Sequence, residues 1–152
     1  MKGSTFDIFR LNTAENLKVD DDFIPCPIEE GDELYPNGIF VFNITKMFEY
    51  INNNSDEIDL VVVDVSDFPK YSSQFDETYT DSIDVSKPVI IAEISPGRYN
   101  LIDGNHRMEK ARKLGMSKMS AYRLNVNQHI AFLTDKKAYL SYIDYWNGKL
   151  KG

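Results

Sequence analysis

Three side chains with chemistry to offer fall within five residues: Asp103, His106 and Arg107, in the run Leu101-Ile102-Asp103-Gly104-Asn105-His106-Arg107. Arginine presents a planar fork of donors that matches phosphate, and histidine donates hydrogen bonds and changes charge near neutral pH. A carboxylate just before them can orient the imidazole, hold a metal or accept a proton. The elements that would position them are legible on either side. Asn100-Leu101-Ile102 reads as an apolar strand running into Asp103-Gly104. Helical spacing then begins, with Met108, Ala111 and Leu114 three apart and Gly115 where a C-terminal glycine belongs. A strand-to-helix turn leaves the first helical amides without partners inside the helix, at the positive end of its dipole. Gly104, Asn105, His106 and Arg107 would therefore form a seat for an anion. The same residues also read as an ordinary turn, with Asp103 a helix cap and Arg107 a solvated charge.

A chain of 152 residues is most simply one domain with a real core. Hydrophobic residues at 42% and charged residues at 27% fit a globular protein rather than a disordered or membrane-embedded one. No apolar run is long enough to cross a bilayer, and Met1-Lys2-Gly3-Ser4-Thr5-Phe6-Asp7 lacks the apolar core of a signal peptide. A cytoplasmic location is expected. Cys26, the one cysteine, lies between Pro25 and Pro27 and can form no internal disulfide; neither metal nor nucleophilic chemistry is expected of it.

The net charge of −7 disfavours broad capture of nucleic acid. The charge is uneven, however. Asp103 to Arg123 holds six Lys or Arg against two acids, so the remainder carries −11. A local basic face on an acidic chain suits a small anionic ligand better than a long polyanion.

Residues 1–38 read as an extended or irregular segment ahead of a single domain at 39–152. Seven acids between Val19 and Leu34, with no Lys or Arg among them, read as a solvated loop. Tyr35-Pro36-Asn37-Gly38 is a turn signal, and Ile39 to Phe42 a short buried strand. Asn43 or Thr45 can cap a helix over Lys46 to Ile51. Ile58 to Val65 reads as a central strand covered on both faces, with Asp64 and Asp67 as secondary site candidates. Ser66 to Lys87 is polar and too long for a structureless loop, which predicts a lid or a short helix near Glu77 to Ile83. Pro88 to Ile94 and Tyr99 to Ile102 form a hairpin, and Lys118 to Leu124 a further strand. Thr134 or Asp135 can cap a last helix, in which Tyr139, Tyr142, Ile143, Trp146 and Leu150 recur at helical spacing.

Taken in order, Val63-Asp64-Val65-Ser66-Asp67-Phe68-Pro69, Ser82-Ile83, Lys87-Pro88-Val89-Ile90-Ile91, Tyr99 to Arg107, and Ala111 with Leu114-Gly115 resemble the ParB/sulfiredoxin superfamily. The resemblance spans about residues 58–124. It implies an α+β fold: a small mixed sheet flanked by helices, here with an added N-terminal strand–helix and a C-terminal helix. It also places Gly104, Asn105, His106 and Arg107 on the superfamily's phosphate-binding turn. The superfamily includes CTP-hydrolysing DNA-partition proteins, ATP-using sulfiredoxins, a free-serine kinase and nuclease-like members. Asn105 stands where sulfiredoxin has its catalytic cysteine, which removes thiol chemistry there. The partition proteins' Gly-Glu-Arg-Arg is replaced by Gly104-Asn105-His106-Arg107, and their Asn-Pro-x-Gln-Pro-Arg box has no match at Asp67-Phe68-Pro69-Lys70-Tyr71. The Asp-Gly-x-His-Arg form is closest to the small-molecule kinase and other stand-alone members.

The resemblance thus implies a nucleotide-phosphate-binding protein, a phosphotransferase or nucleotide hydrolase, with ATP, ADP or CTP and Mg²⁺ as cofactors. Asp103, His106 and Arg107 would be its catalytic residues. The alternatives are a non-catalytic nucleotide- or anion-binding module, or a ParB-like DNA-binding or nuclease-type protein. Fold alone does not decide among them.

Overall fold

A computed structural model describes residues 15–68 and 82–151. Among the described residues the first element is a hairpin, β1 (Leu34–Asn37) and β2 (Phe40–Asn43), which forms a two-stranded sheet of its own. Tyr35 and Pro36, expected in a turn, lie within β1, and the chain reverses one step later around Gly38 at φ +65°. Next comes α1 (Ile44–Asn53), capped as expected by Asn43, whose side chain accepts from the amide of Lys46 at 3.1 Å. Asn43 is fully buried, and its amide group also donates to Pro27 O and to Asp32. One cap residue thereby fixes part of the acidic segment as well.

Four strands make the main sheet: β3 (Asp59–Asp64), β4 (Val89–Ser95), β5 (Arg98–Asp103) and β6 (Lys118–Leu124). Their order is β3-β6-β4-β5, with β4 and β6 parallel and the other two pairs antiparallel. Helix α2 (Asn105–Lys113) covers one face, packing Met108 and Ala111 on Val89, Ile91, Met119 and Ala121. The opposite face buries Ile90, Ala92, Ile102 and Leu124 beneath α1 and α4 (Lys136–Lys151), through Met47, Ile51, Tyr142 and Trp146. A short α3 (Val126–His129) precedes α4 and carries a reciprocal capping box between Asn125 and Gln128. The architecture is α+β, a small mixed sheet between helices, the class that the resemblance implies.

One strand is not where it was expected. Ile58 to Val65 reads as a central strand, yet β3 lies at the sheet edge and leaves Leu60 and Val62 60% and 67% exposed. The centre is β4, with six of its seven residues buried. A run of β-branched residues marks a strand but does not say how many neighbours it has. The α1–α4 layer covers β4 and leaves the outer face of β3 bare. The helix expected near Glu77 to Ile83 lies largely outside the described residues. Among the described residues, no helix is long and apolar enough to cross a membrane.

Beyond Ala92, β4 has no partner in β6, which ends opposite it at Leu124. Side chains meet the next two carbonyls instead. His129 Nε2 donates to Glu93 O at 2.6 Å, and the Tyr142 hydroxyl to Ile94 O at 2.6 Å. His129 is completely buried and its Nδ1 has no partner, so the ring is neutral with its proton on Nε2. Burial lowers its pKa to about 4. Between pH 6.5 and 4 the unfolded chain protonates this imidazole while the folded one resists. Its stabilising contribution is therefore complete above pH 6.5 and is lost as the pH falls, to a limit of about 3 kcal/mol. Urea unfolding at pH 7 and pH 4, compared between the parent and His129→Leu, isolates this from carboxyls titrating in the same range. Equal pH dependence in the two proteins would contradict it.

Candidate functional site

β5 delivers Ile102 and Asp103 to the sheet edge, and Gly104 turns the chain into α2 at φ +104° and ψ 24°. Two demands meet at this glycine. Its backbone is left-handed, and a Cβ would sit 2.5 Å from Val89 Cγ1 and 2.9 Å from Val89 Cβ. Gly104, the N-cap of α2, has no side chain with which to cap it. The first turn of the helix instead borders a hollow of about 340 Å³, lined by Asp103, Gly104, Asn105, His106 and Arg107. His106 is exposed on its rim. All five residues predicted from the turn are thus brought to one opening.

The far wall comes from the hairpin and from Ile83. Glu33, Leu34 and Tyr35 complete the lining. Glu33 is held by its backbone: its amide donates to Thr45 Oγ1 and its carbonyl accepts from the Ile44 amide, both at 2.8 Å. Its exposed side chain and the buried carboxyl of Asp103 both line the hollow. Burial is the main force raising both pKa values. The Asp103 charge adds to the rise at Glu33, and Arg107 opposes it at both. Asp103 accepts from Arg107 Nη2 at 2.9 Å.

Arg107 is less open than its position in the sequence suggests. Nη2 donates to Asp103 Oδ2 at 2.9 Å, while Nη1 donates to Lys87 O at 3.3 Å and to Pro88 O. Three of its five N–H groups hold the turn together, and the rest of the fork remains beside the hollow. The wider basic face is similarly engaged. Lys110 donates to Ile83 O, and Arg112 bonds Glu109 and Phe68 O. Lys118 pairs with Asp64, and Arg123 with Asp59. These cations tie α2 and β6 to their neighbours, so the surplus of positive charge does not form an open anion-binding surface. Asp64 and Asp67 border a different, wider groove and do not join Asp103.

Glu33 and Tyr35 are the site residues that sequence reasoning missed. They lie in or beside the acidic run read as a solvated loop, and no local pattern distinguishes Glu33 from the six other acids there. Among the described residues, no group of three or more His, Cys, Asp or Glu is arranged to hold a metal ion. Cys26 is buried, and its sulfur hydrogen-bonds Pro27 O. A comparison with protein-family models returns no match, and neither does one with curated proteins.

Proposed function

We propose that the chain is a nucleotide-dependent phosphotransferase of ParB/sulfiredoxin type, with phosphates seated at the start of α2 and a small hydroxyl-bearing acceptor, or water, beside the acid pair. One observation carries this reading. The N-terminus of α2 opens on a hollow with His106, Arg107 and the Asp103 carboxyl on one wall and Glu33 on the other. The amides of the first turn and the His106 and Arg107 side chains would stabilise charge on the transferring phosphoryl group. The acceptor oxygen attacks phosphorus, the bond to the nucleoside diphosphate breaks, and the acceptor's proton passes to the Glu33–Asp103 pair. Mg²⁺ bound with the nucleotide would supply further neutralisation, and Asp103 would be the turn carboxylate to hold it.

A second reading, a binding module without turnover, is favoured by the three bonds that already occupy Arg107. Thermal melts with ATP, ADP, CTP and GTP, with and without Mg²⁺, followed by product analysis, separate the two. A nucleotide at a hundred times its Kd should add about 2.7 kcal/mol, a rise of about 5–10 °C for a chain of this size. A shift with turnover supports the transferase, and a shift alone supports the module. No response to any nucleotide, alongside salt-sensitive DNA binding, overturns both.

A further inference from the structure

The two edges of the four-stranded sheet are built differently. β5 closes one of them irregularly: its register against β4 shifts twice, and Arg98 and Asn100 stand exposed along it. Bulges and charged side chains of this kind keep a stray strand from adding to a sheet. β3 closes the other edge in one unbroken register with β6, from Asp59 opposite Arg123 to Asp64 opposite Lys118, and contains neither proline nor lysine. Its two acids are paired inward, with Arg123 and Lys118 on β6. The Val65 amide donates to Ser117 O, which continues the register and turns the odd-numbered backbone groups toward β6. In an antiparallel ladder the alternate residues face away. The amides and carbonyls of Leu60, Val62 and Asp64 therefore point out of the sheet, where among the described residues no strand meets them. Leu60 and Val62 also leave their side chains open on one face.

We propose that the β3 edge docks an extended segment of a partner protein, which adds a strand to the sheet with apolar residues beside Leu60 and Val62 and Lys or Arg at both ends. The outward backbone row supplies the hydrogen bonds, and the two apolar side chains select which face the segment presents. Charge selects the occupant. Exposed Asp56 and Glu57 precede the strand and exposed Asp67 follows it, so the edge is an apolar centre between acidic ends. A second copy would pair antiparallel about Val61, the register that sets Leu60 against Val62 of the copy. That register carries Asp56 and Glu57 of each molecule toward Asp67 of the other, at both ends of the interface. Like charges so placed are destabilising, and a net charge of −7 on each chain adds to the repulsion. Basic ends reverse the sign of every one of these contacts. The surface lies at the sheet edge remote from β5 and Asp103, so it stands or falls independently of the anion hollow.

Two synthetic peptides test the assignment: Lys-Arg-Val-Thr-Val-Thr-Val-Lys-Arg, and the same core with Glu at the end positions. Each is titrated into the full chain, with fluorescence anisotropy for affinity and amide hydrogen exchange for location. The basic peptide should bind saturably and slow exchange at Leu60, Val62 and Asp64, while Val61 and Val63, already held by β6, change little. The acidic peptide should bind about tenfold more weakly or worse, by a margin that narrows as salt is added. Val62→Pro removes one outward amide, at an edge position where proline spares the remaining ladder, and should weaken the basic peptide about tenfold. Leu60→Thr/Val62→Thr keeps the backbone row and the strand preference but loses the apolar contact. It should weaken binding by a similar factor, about tenfold, and it decides the matter if the proline variant does not fold. Absence of binding by the basic peptide overturns the proposal, as does equal affinity for the two peptides or unchanged affinity in the variants. A dimer in sedimentation that Leu60→Thr/Val62→Thr dissociates overturns it too, by assigning the edge to a second copy.

Discussion

Arg107→Ala is expected to lower turnover by about 100-fold, the usual cost of removing one donor that stabilises transition-state charge. It should also destabilise the fold by about 3 kcal/mol, because Asp103 would lose its cation while remaining largely buried. The two effects are separable. Arg107 is what opposes the rise in the Asp103 pKa, so without it that carboxyl moves further upward. The destabilisation is then greatest at neutral pH and shrinks as acid protonates Asp103. Adding Asp103→Asn to Arg107→Ala removes the unpaired charge and should recover most of the stability but none of the turnover. Urea unfolding from pH 4 to pH 8, with nucleotide turnover on the same samples, reads both. Full turnover in Arg107→Ala would remove the guanidinium from the mechanism.

Gly104→Ala is expected to cost about 3 kcal/mol. About half of this is the left-handed backbone, and the rest is the collision of the new methyl with Val89. Val89 is completely buried at the start of the central strand, so it has little room to yield. For a chain of this length the melting temperature should fall by about 6–12 °C. Gly115→Ala provides the control. Its φ is +75°, but nothing lies within 4 Å of where its Cβ would go, so strain acts there alone. Its cost should be about 1 kcal/mol. Equal losses at the two glycines would mean that the close approach to Val89 contributes nothing.

The parts of this fold that could be read from the chain are those set by near neighbours. The β4–β5 hairpin, α2, β6 and α4 follow from period-two and helical spacing with local turn and cap residues, and each lies within two or three residues of its expected bounds. The site turn was legible for the same reason, because Asp103, Gly104 and Arg107 are joined by one bend. Leu60 and Val62 were misjudged because burial on a strand depends on which layer reaches it. Helix α3 was overlooked although Asn125-Val126-Asn127-Gln128 has the spacing of a capping box. Glu33 had no such signal. It shares the hollow with Asp103 across 70 residues of sequence, through a hairpin docked on the start of α1. The basic surplus misled in the opposite direction, since most of its charges serve as struts between elements.

The two walls of the hollow come from different sheets, the hairpin supplying Leu34 and Tyr35, with Glu33 just before it, and the four-stranded sheet supplying Asp103 and the helix it launches. Whatever occupies the opening is a rivet between two independently hydrogen-bonded units. By mass action it must tighten their union, and any force that parts them must expel it. Occupancy of the hollow and cohesion of the molecule are one equilibrium, seen from opposite sides.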